Sequence, residues 1–225
     1  MKVKQRMTPG PVTATPKTTH REAVELMEKR HVRRLPVLDS DGRLVGIVSR
    51  SDLLSTAPSP ATTLSVYEIY TLLDRLTLDQ IMVSPVLAVD ENCSLAGAAG
   101  FMIARGVGCL PVMRGQELVG IITETDIFKA LVEVLGGGEP GMRIDLEVPD
   151  EPGVLARITQ AFAEAGADIV SLTTFRGEES TRGVISIKER GGDETRLLPA
   201  LEALEGVEIV EFRPAGQDVL LSFGK

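Results

Sequence analysis

The sequence predicts an α+β protein: two β-α-β-β-α repeats in a pseudo-twofold pair, then a ferredoxin-like β-α-β-β-α-β domain. Three observations carry this. First, Leu35-Pro-Val-Leu-Asp-Ser-Asp-Gly-Arg-Leu-Val-Gly-Ile-Val-Ser-Arg-Ser-Asp52 is written again as Leu110-Pro-Val-Met-Arg-Gly-Gln-Glu-Leu-Val-Gly-Ile-Ile-Thr-Glu-Thr-Asp126, offset by 75 residues at its start and 74 at its end. Each copy reads as two β-branched strands around a polar turn, closed by a hydroxyl and an acid three residues apart. Second, Gly136-Gly-Gly-Glu-Pro-Gly141 is a run that regular structure does not tolerate, so a separate domain begins near Met142. Third, beyond that run Leu155/Ile158/Phe162 and Leu197/Leu198/Leu201/Leu204 recur at helical spacing between β-rich stretches.

The elements follow in order. A short strand is expected at Val12–Ala14, and Thr19-x-x-Glu22 is a capping box for a helix to about Arg30 with Val24 and Met27 inward. Strands follow near 34–38 and 44–49 with Asp41-Gly42 between them, then a helix from Arg50. Ser65-x-x-Glu68 caps another helix, in which Tyr67, Leu72, Leu73 and Leu76 give one apolar side. The second repeat carries a small-residue helix over 94–104. The C-terminal domain reads as strand 143–148, helix 154–165, strands 168–175 and 183–188, helix 194–204 and strand 207–213. The expected organisation is repeat one over 1–56, a linker helix over 57–78, repeat two over 79–135, a glycine hinge over 136–141, the last domain over 142–213 and a tail over 214–225.

Composition narrows the function. The net charge of −8 argues against general nucleic-acid binding. Residues 1–56 hold 11 Lys+Arg against 6 Asp+Glu, residues 57–140 hold 4 against 10, and residues 141–225 hold 9 against 16. The first repeat is the basic part of an acidic protein, which favours an anionic ligand there. No apolar run approaches the ~20 residues of a membrane helix, and no apolar stretch follows the basic N-terminus, so a cytoplasmic protein is expected. Cys93 and Cys109 read as small reduced thiols and not as a disulfide framework. Two histidines without a metal-ligand spacing, and no nucleophile motif, P-loop or dinucleotide fingerprint, speak against an enzyme, a metal site and a resident cofactor.

The ordered recurrence of Met-x-x-Pro-like leading segments (Met7-Thr-Pro-Gly-Pro-Val-Thr-Ala and Met82-Val-Ser-Pro-Val-Leu-Ala-Val), Leu-Pro-Val strands, Leu-Val-Gly-Ile strands and Ser/Thr-x-x-Asp closings resembles a tandem pair of CBS domains, a Bateman module. Ser59-Pro-Ala-Thr-Thr-Leu-Ser-Val-Tyr-Glu68 resembles the segment between repeats in AcuB-type proteins, which implies a role near acetoin utilisation. Pro149-Asp-Glu-Pro-Gly-Val-Leu155 and Ala163-Glu-Ala-Gly-Ala-Asp-Ile169 make residues 143–213 resemble an ACT domain.

Ser49/Asp52 and Thr123/Asp126 pair a diol acceptor with a hydroxyl at a helix start, a combination that suits a ribonucleotide and equally suits plain helix capping. The CBS resemblance implies the former, with adenine held near Val12, Thr13, Ala14 in one repeat and Val86, Leu87, Ala88 in the other. His31, Arg33 and Arg34 supply basic groups for phosphate in repeat one, where repeat two has Gly106-Val-Gly-Cys109. Repeat two also has Glu124 where repeat one has Arg50, so unequal half-sites are expected. In the last domain Asp150, Gly153, Val154 and Leu155 open a helix whose N-terminus suits a carboxylate, and the ACT resemblance implies an amino acid there. The expected protein is a non-catalytic regulatory sensor of an adenine nucleotide (AMP, ADP, ATP or a related adenosyl ligand), a homodimer acting on a regulated partner. The alternative is an assembly module or a subunit of an enzyme complex with no nucleotide bound.

Overall fold

Helix starts in the first repeat lie where a hydroxyl and an acid close on one another. Thr19 Oγ1 accepts from the Glu22 N–H at 3.3 Å and Glu22 Oε2 accepts from the Thr19 N–H at 2.8 Å, so α1 runs His20–Arg30. Those bonds hold the Glu22 carboxyl below the usual carboxylate range. The computed structural model describes residues 1–56, 65–176 and 181–215 and divides into two compact units, Met1–Phe128 and Lys129–Lys225. The division falls inside a helix, α5 (Glu124–Val134).

The first unit contains β1 (Thr8–Pro9), α1, the hairpin β2 (Arg34–Leu38) and β3 (Leu44–Ser49), α2 (Arg50–Ser55) and α3 (Val66–Arg75). It continues through β4 (Val89–Asp90), α4 (Leu95–Arg105), β5 (Cys109–Arg114) and β6 (Glu117–Thr123) into α5. The repeat is structural as well as written. Helix α1 ends at His31 with φ 53° and α4 at Gly106 with φ 63°, and both hairpins carry a register shift at the same place, Val37/Leu38 and Val112/Met113.

Sequence did not foretell which repeat each leading segment joins. Thr8 pairs with Ile121 of repeat two, and Val83 pairs with Ile47 of repeat one. Val3 is buried in the core with Leu110, Val112 and Ile122, while Leu78 is buried with Leu35, Val37 and Val48. The exchange explains the Val-Gly-Ile motif: a Cβ at Gly46 would collide with the Met82 side chain, and one at Gly120 with Met7. The strand expected at Val12–Ala14 shrinks to one parallel bridge, Ala14 to Val37, and the short strand sits earlier, at Thr8–Pro9, where the leading segment lies against β6.

The second unit contains β7 (Met142–Pro149), α6 (Val154–Glu164), β8 (Asp168–Arg176), β9 (Arg182–Arg190), α7 (Glu194–Glu202) and β10 (Glu208–Arg213). The sheet order is β10-β7-β9-β8, all antiparallel, the ferredoxin-like arrangement expected. Met142, Ile144, Leu146 and Val148 alternate inward against Ile158, Phe162, Leu197 and Leu201 of the two helices. Glu189 is 1% exposed on that inner side, and burial pushes its carboxyl above the usual range.

Candidate functional site

Both Ser/Thr-x-x-Asp closings form capping boxes of the same geometry. Ser49 Oγ and N donate to Asp52 Oδ2, each at 2.7 Å, and Ser49 Oγ accepts from the Asp52 N–H at 3.2 Å. Thr123 Oγ1 donates to Asp126 Oδ2 at 2.7 Å and its N–H at 2.9 Å, with the Asp126 N–H returning at 3.3 Å. Capping uses one oxygen of each carboxylate. Neither Oδ1 takes a hydrogen bond among the described residues, so each Asp can cap its helix and still accept from a ligand diol.

What surrounds the two carboxylates differs. Asp126 opens into a cavity of about 280 Å³ whose walls come from both repeats: Gly10, Pro11, Val12 and Val32 from the first, Ile121 and Thr123 from the second, with Arg33 and Arg34. It shares Arg33, Arg34, Thr123 and Thr125 with a second cavity of about 390 Å³. That second cavity is lined by residues that map onto one another under the repeat: Arg33 and Gly108, Ser49 and Thr123, Arg50 and Glu124, Ser51 and Thr125. It therefore straddles the pseudo-twofold axis of the first unit, apolar surface leading from one side into a basic centre. The volumes lie near the lower end of the roughly 300–1,000 Å³ common for small-molecule sites.

Asp52 lines neither cavity. Where the Asp126 side has Arg34, the Asp52 side has Cys109, whose thiol burial pushes up despite the neighbouring Arg34 guanidinium. Arg34 Nη2 and Glu124 Oε2 converge over Gly108, 2.8 and 2.9 Å from where a Cβ would stand. A side chain there would fill the centre.

His31 is the left-handed C-cap of α1, is exposed and lines neither cavity; its counterpart Gly106 does the same turn. Ala14 is buried in the repeat-one core, and Thr13, half-buried beside it, lines neither cavity. Leu87 packs on the repeat-two core, while Val86 and Ala88 line a separate cavity of about 780 Å³ beside Arg43, Ser84 and Gln116. Ser51 and Thr125 are cavity residues that the sequence pattern did not single out; their place inside the Ser/Thr-x-x-Asp motif, and opposite each other in the repeat, was the available signal. In the second unit Gly153 is the N-cap of α6 at φ 92° and offers no side-chain cap. Val154 is buried in the core and Leu155 is 41% exposed. The Asp150 N–H donates to the Thr181 carbonyl at 3.0 Å. Among the described residues no group of three or more His, Cys, Asp or Glu is placed to hold a metal ion, and no helix is long and apolar enough to cross a membrane. Cys93 and Cys109 are free and half-buried. Residues 59–64, part of the AcuB-like wording, and 216–225 of the tail lie outside the described residues.

A duplicated strand-turn-strand unit with exchanged leading segments and a composite axial cleft defines a paired CBS module, and the chain belongs to the CBS-domain proteins. CBS domain models match residues 3–58 and 78–133, and an ACT domain model matches 142–208. A CBS domain-containing protein of Dictyostelium discoideum is 30% identical over 59% of this chain and 92% of its own length. An uncharacterised protein of Methanocaldococcus jannaschii is 45% identical over 49% of this chain and 80% of its own. Another from that organism, 29% identical over 65% of this chain, is matched over 35% of its length. Among solved structures, a Vibrio cholerae protein provisionally named an acetoin utilization protein (AcuB) is 32% identical over 60% of this chain and 93% of its own, with a TM-score of 0.50.

Proposed function

We propose that the first unit is a non-catalytic regulatory receptor for an adenine nucleotide, one per chain, held on the Asp126 side. The observation that carries this is the continuity of two cavities through Arg33 and Arg34, with a carboxylate oxygen available at one end and three arginines at the other. Adenine would lie among Pro11, Val12, Val32 and Ile121, and Asp126 Oδ1 would accept from the ribose diol. Phosphate would reach Arg33, Arg34 and Arg50. Because the walls come from both repeats, a ligand bridging them biases their arrangement. A differential affinity of ~5–150-fold between two arrangements passes ~1–3 kcal/mol to a partner.

Exposed Leu54, Ile103 and Phe128 support self-association as a homodimer. The N-terminus of α6, without a side-chain cap, supports an amino acid as ligand of the second unit. Likeness to the Vibrio protein supports a regulated partner near acetoin utilisation. We place the protein in the cytoplasm.

Thermal-shift measurements with AMP, ADP, ATP, S-adenosylmethionine and NADH test the central reading. A ligand at 100 times its dissociation constant adds ~2.7 kcal/mol of stability. Stabilisation by at least one of them, lost in Asp126→Ala and kept in Asp52→Ala, is expected. No stabilisation by any of them returns the module to an assembly role in which both acids only cap helices.

A further inference from the structure

The second unit sets cations where an isolated sheet would not keep them. Register places Arg143 of β7 opposite Lys188 of β9 on one side and opposite Arg213 of β10 on the other. Three positive side chains thus form one row across adjacent strands, on the face away from the two helices, since Met142 and Ile144 point inward. Like charges directly opposite one another destabilise a sheet. The row is made from three of only nine Lys and Arg in residues 141–225, against 16 acids. Neither Arg143 nor Lys188 meets a carboxylate within 4.0 Å among the described residues. Their bonds go to neutral groups: Arg143 to Ser186 Oγ at 3.0 Å and the Leu135 carbonyl at 2.8 Å, and Lys188 Nζ to the Gly136 carbonyl at 2.9 Å.

The row faces a cavity of about 540 Å³ lined by Arg143, Lys188, Arg213 and the glycine-rich 137–141 stretch. Its acid among the described residues, Glu139, lies 3.8 Å from Arg190, and Arg213 pairs with Glu211 at 2.6 Å. Gly138, at φ 87°, has open space where a Cβ would stand, and its N–H donates to no described residue. Two half-buried cations, Arg143 and Lys188, that meet no carboxylate among the described residues, beside the paired Arg213 and an unused backbone donor, describe a receptor for negative charge.

We propose that this cavity is a second ligand site, for a compact multivalent oxyanion, either a phosphate or a small polycarboxylate. The anion sits across Lys188, Arg143 and Arg213 and accepts from the Gly138 N–H. Its charge offsets the repulsion along the row and secures the segment Leu135–Gly136 that Arg143 and Lys188 already hold. The site stands apart from the α6 N-terminus, which lies beyond the far end of β7, and does not depend on the nucleotide reading.

Calorimetry on the full chain tests it, in an Arg33→Ala/Arg34→Ala/Arg50→Ala background that removes all three arginines of the first unit's cavity. Inorganic phosphate and citrate are titrated separately at constant ionic strength. The expected result is saturable binding of at least one, weakened tenfold or more by adding Lys188→Gln and Arg213→Gln. Arg143 is left intact because it also holds the Leu135 carbonyl. A direct reading in the unmutated protein is the Gly138 amide resonance, which should shift saturably with the same anion. No saturable binding in the background, equal affinity after the two substitutions, or a Gly138 amide that does not move would each overturn the proposal.

Discussion

The two repeats of the first unit share the bulge at Val37/Leu38 and Val112/Met113, yet of their two acids Asp126 and not Asp52 lines the pair of cavities that meet at Arg33 and Arg34. Their capping boxes agree within 0.2 Å bond for bond, so capping cannot be what separates them. The difference lies at three paired positions around the axis: Arg33 against Gly108, Arg34 against Cys109, Arg50 against Glu124. Helix capping and the charge of the cavity centre therefore rest largely on different residues, and each can be perturbed alone.

The largest effects should come from breaking the exchange that builds the cleft. Leu78 is fully buried in the core of repeat one although it belongs to the leading segment of repeat two, and Leu78→Ala should cost about 2–5 kcal/mol in denaturant unfolding. Hydrogen exchange should accelerate first in β2 and β3; acceleration confined to β5 and β6 would mean the segment belongs with its own repeat. Filling the notch that accepts the partner segment, by Gly46→Ala or Gly120→Ala, should cost about 1–3 kcal/mol in each repeat, because Met82 and Met7 must move. Next in size is the basic centre. Arg34→Ala removes a charged donor common to both cavities and should weaken nucleotide binding by about 10- to 150-fold, the equivalent of ~1.5–3 kcal/mol.

A smaller effect separates capping from binding most cleanly. Asp52→Ala and Asp126→Ala each lose the same cap, so chemical denaturation should report similar losses of about 0.5–2 kcal/mol. Nucleotide affinity should fall only for Asp126→Ala. Equal losses of affinity would erase the asymmetry between the repeats.

Much of this was legible in the residues. The duplication, the capping boxes at Thr19, Ser49 and Ser65, the β10-β7-β9-β8 domain and the Asp pair follow from local pattern, because capping and alternation act within a few residues. What sequence left hidden is non-local. Nothing within Met7-Thr-Pro-Gly says that it pairs with β6 and not with its own hairpin, and the row Arg213, Arg143, Lys188 exists only once three strands are in register. His31 is a related case: beside Arg33 and Arg34 it reads as a phosphate ligand, whereas in the fold it is the left-handed C-cap of α1 and lines neither of the two cavities. Its counterpart Gly106 held the clue, since glycine at the matching position marks a backbone requirement.

The smallest predicted change bears most directly on the charge difference between the two halves. Glu124 reaches the same spot over Gly108 as Arg34, so it offsets part of the positive charge at the cavity centre. Glu124→Gln keeps the shape and removes that offset. Glu124 is solvent-exposed, so screening limits the gain to about 1.5- to 5-fold in affinity for a phosphate-bearing nucleotide. Adenosine, which has no phosphate, should bind the variant and the unmutated protein alike, and the gain should shrink as salt rises. If adenosine gains as much as AMP, Glu124 acts through shape and not charge. Paired with Cys109→Arg, the same substitution moves repeat two toward the chemistry of repeat one, and a second bound nucleotide per chain is then expected on the Asp52 side.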